Sequence, residues 1–217
     1  MDKFQAIVFD MDGLMVDSEP VARRGWEIIL ASYGKELDTQ TYERMVGLRL
    51  EDSAALVADT FGLPITPTEL ADRKEAVMVR LRAAGLPVMP GLHALTDFLN
   101  AQQMPWAVAT SSRRQYAFDV LAQLGLAESC QAVAAGNEVS HGKPAPDIYL
   151  LAASRLNIAP EHCLALEDSV PGGRAAVAAG MTLAAVPNGH TNSADFPFAH
   201  YVLNSLNDAI PLVKRNA

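Results

Sequence analysis

Ala6-Ile7-Val8-Phe9-Asp10-Met11-Asp12-Gly13 carries four apolar residues in a row, then two carboxylates and a glycine. An apolar run without polar alternation reads as a strand buried on both faces, the kind found in parallel sheets. In an extended segment, side chains at i and i+2 point the same way, so Asp10 and Asp12 can face one ligand beyond the strand end. Gly13 allows a sharp turn there. Taken alone, the same residues also fit a solvated acidic turn.

Similar runs recur at 106–109, Ala132–Ala135, 164–166 and 182–186, with amphipathic stretches at 91–103, 115–124 and 148–156 between them. Strands alternating with helices predict an α/β doubly wound parallel sheet, whose ligands bind beyond the carboxyl ends of the strands. One region breaks the alternation. Helical patterns at 21–33, 40–46, Leu50–Phe61 and 68–83 follow one another with no convincing strand. The expected organisation is an α/β core of residues 1–16 and 86–217, with a small all-helical insert at 17–85. Linkers are expected near 14–18 and 85–90, the second containing Pro87 and Pro90.

Three other places could carry chemistry. Glu167-Asp168 follows the fourth run, so two acidic strand ends can converge on one hard cation, and an oxygen-only set suits Mg²⁺. These carboxylates would equally suit the start of the next helix. Thr110-Ser111-Ser112-Arg113 offers hydroxyls and free amides at a helix start, an anion site or a plain cap. Lys143 sits between Gly142 and Pro144-Ala145-Pro146, a stiff setting for a positioned charge.

The 217 residues carry a formal charge of −8, half of them are hydrophobic, and there are only two cysteines, Cys130 and Cys163. The acidic balance argues against nucleic acid or an anionic membrane as partner. The cysteines lack metal or redox spacing and are expected as buried thiols. With no long apolar run and no secretory leader pattern, a cytoplasmic location is expected, and a monomer is the simplest state. His93, His141, His162, His190 and His200 show no ligand spacing and receive no role; Trp26 and Trp106 are expected to pack in cores.

Asp10-Met11-Asp12-Gly13, Thr110, Lys143 and Glu167-Asp168 together resemble, in order and spacing, the haloacid dehalogenase superfamily over nearly the whole chain. The helical insert resembles the family's C1 cap. The wording Phe-Asp-Met-Asp-Gly-Leu with Asp-Ser-Glu-Pro, Lys-Pro-Ala-Pro-Asp and Leu-Glu-Asp-Ser is most similar to the β-phosphoglucomutase and sugar-phosphatase branch. The resemblance implies Asp10 as nucleophile forming an aspartyl-phosphate, and Asp12 as acid and then base. It further implies Mg²⁺ held by Asp10, the Asp12 carbonyl and Asp168, with Glu167 ligating or supporting. Thr110 and Ser111 would hold phosphoryl oxygens and Lys143 would offset charge. Asp12 argues against dehalogenation, which has no alkoxide to protonate.

The mutase pattern has a histidine soon after the first motif, where this chain reads Glu19-Pro20-Val21-Ala22. The cap arginine, Arg49, stands one position early, while Lys74 matches the pattern's cap lysine. The expected activity is hydrolysis of a small phosphate ester, a sugar or polyol phosphate, with Arg49 and Lys74 as candidate substrate contacts. A mutase is the alternative and a non-catalytic binding module the remote one.

Overall fold

The structure, a computed structural model, describes residues 4–83, 85–189 and 191–215. His190 and the ends of the expected core lie outside them. Six parallel strands form one sheet: β1 (Ala6–Phe9), β2 (Trp106–Thr110), β3 (Ala132–Ala135), β4 (Cys163–Glu167), β5 (Thr182–Ala185) and β6 (Tyr201–Val202), in the order β3-β2-β1-β4-β5-β6. The direction of winding reverses between β1 and β4, which opens a crevice at their carboxyl ends. Asp10 follows β1 there, and its amide donates to the Leu166 carbonyl at 3.0 Å. The strand pairing sets Phe9 against Val108 on one side and Leu166 on the other, bringing three strand ends level.

Both faces of the sheet are covered, which is why its strands read as unbroken apolar runs. Ile7, Phe9, Trp106 and Val108 pack on the side of α5 (Leu92–Ala101), α6 (Arg114–Gln123) and α9 (Ala209–Arg215). Phe9 and Trp106 meet edge to face, with ring centroids 5.5 Å apart. Ala6, Val8, Ala107, Ala109 and Ala165 face α7 (Asp147–Leu156) and α8 (Val170–Ala178). The small side chains on this face let the two helices lie close to the strands. The short edge strand β6 and helix α9 have no strong signature in the sequence and were not expected from it.

Between β1 and α5 lie α1 (Glu19–Ala31), α2 (Thr39–Glu43), α3 (Leu50–Phe61) and α4 (Pro67–Arg82), four helices with a core of their own. Trp26, Ile29 and Leu30 from α1 meet Ala54 and Val57 from α3 and Leu70 and Ala71 from α4. Thr66 and Glu69 form a reciprocal capping box that starts α4, which explains why the helix begins beside Pro67. The segments entering and leaving the bundle pair with each other: Asp17 donates to the Pro87 carbonyl and Met89 to the Met15 carbonyl, each at 2.9 Å.

Lys74 of α4 is the anomaly of this bundle, a lysine only 3 % exposed. Its ammonium lies 5.1 Å from the Trp26 ring centroid. Burial, reinforced by Arg82, lowers it to about 7. An unfolded chain holds this proton to near the ordinary lysine value, so burial costs stability fully below pH 7 and the cost fades as pH rises toward the unfolded value. Lys74→Met therefore raises stability to urea by roughly 1–3 kcal/mol at about pH 6.5, and by less than half of that at about pH 9.5. A gain independent of pH would mean that the methionine acts through packing alone.

Candidate active site

A cleft between the carboxyl ends of the strands and the helical bundle is lined by Asp10, Asp12, Thr110, Lys143 and Asp168 from below, with Glu19, Tyr42 and Lys74 among the residues above. Asp10 and Asp12 leave β1 in the direction the alternation requires. Gly13 has φ +89°, and a Cβ there would lie 2.1 Å from Asp168 Oδ2, so neither the backbone nor the space accepts a side chain.

Lys143 is the hub. Its ammonium donates to Asp10 Oδ1 at 2.6 Å and to Glu167 Oε1 at 2.5 Å, and all three groups are buried. Glu167 is saturated: Tyr149 donates to its Oε1 at 3.0 Å, and the amide and hydroxyl of Ser169 donate to its Oε2, each at 2.9 Å. Gly172 presses against that carboxylate, where a Cβ would be 1.6 Å from Oε1. Asp168 is held at one oxygen, with Asn188 donating to Oδ2 at 2.7 Å. Its other oxygen, Oδ1, is buried without a hydrogen-bond partner among the described residues.

The oxygens of Asp10, Glu167 and Asp168 come within 4.8 Å of one another. Three carboxylates facing one ammonium leave an excess of negative charge in a buried site. Burial raises Asp10 to about 7, with Lys143 pulling it down and Glu167 pushing it up. Asp168 is raised well above the usual carboxylate range by burial, then by Asp10 and Glu167. Burial alone would lower Lys143, but Asp10 and Glu167 outweigh it and hold the ammonium above its ordinary value. A divalent cation would relieve this imbalance, and the orphaned Asp168 Oδ1 is a ligand atom already desolvated for it.

Asp12 is held differently. Tyr116 donates to Oδ1 at 2.8 Å, Ser112 to Oδ2 at 2.7 Å, and Thr110 more weakly to Oδ2 at 3.3 Å. The Ser111 hydroxyl donates across the cleft to the Gly47 carbonyl at 3.0 Å.

The structure thus brings Asp10, Asp12, Thr110, Ser111, Lys143, Glu167 and Asp168 to one place, and Lys74 to the opposite wall. Arg49 is not among the residues lining the cleft. Its guanidinium grips Asp52 at 2.7 Å and caps the carbonyls of Val139 and Ser140 at 3.2 and 3.3 Å. The short i, i+3 pairing with Asp52 fixes it on the rim. Sequence reading missed Tyr116, Tyr149, Asn188 and Thr191, the last donating to the Asp168 carbonyl at 2.7 Å. The only signal for the last two was their position shortly after a strand end.

A family model described as haloacid dehalogenase-like hydrolase matches residues 4–180. The chain is 35 % identical over 210 residues to a probable pseudouridine-5'-phosphatase of Drosophila melanogaster, covering 94 % of this chain and 90 % of that protein. It is 32 % identical over 180 residues to fructose-1-phosphate phosphatase YqaB of Escherichia coli K12, covering 83 % and 95 %. The crystal structure of CbbY from Rhodobacter sphaeroides in complex with phosphate superimposes with a TM-score of 0.85 at 28 % identity, covering 94 % of this chain and 96 % of that one. With its acidic strand ends gathered around one lysine, the chain belongs to the haloacid dehalogenase-like hydrolases.

Proposed function

We propose that this chain is a Mg²⁺-dependent phosphatase that hydrolyses a small phosphorylated metabolite, a sugar or polyol phosphate, through an aspartyl-phosphate on Asp10. The observation that carries the reading is the buried contact of Lys143 with both Asp10 and Glu167 beside the unpartnered Asp168 Oδ1. Phosphoryl transfer depends on positioning and charge neutralisation, and this site is built for both.

In the proposed reaction an Asp10 oxygen attacks phosphorus while Lys143 holds the other oxygen and screens the approaching anion. Thr110 and the Ser111 amide take phosphoryl oxygens. Asp12 gives its proton to the leaving oxygen, then removes one from the water that cleaves the aspartyl-phosphate. Asp10, the Asp12 carbonyl and Asp168 would hold Mg²⁺, which supplies charge neutralisation at the phosphoryl oxygens. With both oxygens of Glu167 already occupied, its role is to fix Lys143 rather than to ligate. Residues 17–85 act as the cap that selects substrate, and Lys74 contacts the substrate's distant end. A pseudouridine phosphatase and a fructose-1-phosphate phosphatase among the relatives support a phosphorylated sugar as the substrate class.

Hydrolysis of p-nitrophenyl phosphate should require Mg²⁺ and fall by at least about 10³-fold in Asp10→Asn. Activity surviving that substitution removes Asp10 as nucleophile. Mg²⁺ should raise the melting temperature of the wild-type protein and leave Asp168→Asn unmoved; an equal rise in both would exclude Asp168 as a ligand. With hexose 1-phosphates and a bisphosphate primer, phosphate release should outpace isomerisation, whereas the reverse would make the chain a mutase.

A further inference from the structure

Resting on the phosphatase reading, we infer that Tyr116 is a positioning residue for the acid step: its phenol holds Asp12 so that the carboxyl meets the leaving oxygen. An aspartate carboxyl rotates broadly about its last side-chain torsion, so nothing within Asp12 itself fixes the plane of the group. General acid catalysis needs that plane fixed, because a proton is delivered only across hydrogen-bond distance.

Three hydroxyls surround the carboxyl. Ser112 and Thr110 both address Oδ2, and among the described residues Tyr116 alone addresses Oδ1. Thr110, at the end of β2, is assigned to the phosphoryl oxygens, so substrate competes for its hydroxyl, and Ser112 lies in the loop that follows it. Tyr116 stands apart from that loop, on α6, with its side chain buried to 4 % exposure in the sheet's larger core. The Arg82 guanidinium, at the end of α4, lies 3.5 Å from the centroid of the Tyr116 ring and is tied to Glu75 at 3.0 Å. The ring is therefore clamped between the core and the helical bundle, and its hydroxyl meets Oδ1 from a rigid mount outside the stretch that binds the phosphoryl group.

In the step concerned, the bond from Asp10 oxygen to phosphorus forms as the bond from phosphorus to the leaving oxygen breaks. The proton on Asp12 passes to that oxygen, leaving Asp12 as the carboxylate. A poorly basic leaving group departs without the proton, and a strongly basic one does not. The value of a well-aimed Asp12 therefore rises with leaving-group basicity.

The test compares wild type with Tyr116→Phe on p-nitrophenyl, phenyl and p-methylphenyl phosphate, whose leaving groups rise in basicity at nearly constant shape. The quantity read is kcat/KM, which ends at departure of the phenol and ignores the later water step. Tyr116→Phe should leave p-nitrophenyl phosphate within about twofold and lower p-methylphenyl phosphate about tenfold or more, within the usual range of acid catalysis. An equal fall on all three esters would make Tyr116 structural or a substrate contact, and no fall would remove it from the reaction. The trend across the series is independent of the fraction of variant that folds. Asp10→Asn is run alongside: activity surviving there overturns the phosphatase reading and this role with it, whereas an inactive Asp10→Asn with an equal fall in Tyr116→Phe overturns only the role of Tyr116.

Discussion

Lys143 lies 4 % exposed between Asp10 and Glu167, and the geometry of the site follows from the charge it carries. Its ammonium ties the end of β1 to the end of β4 across the crevice where the winding of the sheet reverses. Removing one member of a buried ion pair leaves the others uncompensated, which costs far more than the pair contributes relative to apolar packing. Such a cluster is weak evidence of selection for stability and better explained by chemistry. The surrounding contacts support this: Tyr149 and Ser169 saturate Glu167, so the glutamate can hold the lysine and little else.

Asp10 and Asp12 are two residues apart yet live in different environments. Asp10 sits in a buried nest of carboxylates with one ammonium. Asp12 is turned toward hydroxyls from the β2–α6 side, which can hold a carboxyl in either protonation state. One strand end thereby presents two carboxylates in different environments, and the proposed nucleophile and acid are divided along that difference.

The helical bundle meets the core through polar links. Arg113 reaches Glu51 and Asp72, each at 3.1 Å; Ser111 reaches the Gly47 carbonyl; Arg49 caps Val139 and Ser140. Exposed ion pairs of this kind contribute about 0–1 kcal/mol each. The bundle has its own apolar core, so these contacts orient it over the cleft more than they stabilise it. Lys74, desolvated beside Trp26, stands in this wall of the cleft with its ammonium disfavoured by burial.

The sequence by itself determined the parallel sheet, the helical insert and the acidic residues at the strand ends, because two-faced burial writes unbroken apolar runs and strand ends fall where those runs stop. Leu50–Phe61 and Ala132–Ala135 could be read to the residue, since turn signals or polar residues bound them on both sides. The two-residue strand β6 could not, for pairing at a sheet edge leaves no periodicity in so short a segment. Only the tertiary structure decided that Glu167 is spent on Lys143 while Asp168 keeps an open oxygen, that Arg49 turns to the rim, and that Tyr116 reaches Asp12 from 104 residues away. Those outcomes depend on which donors arrive from separate elements at one point, and spacing along a chain carries no information about that convergence.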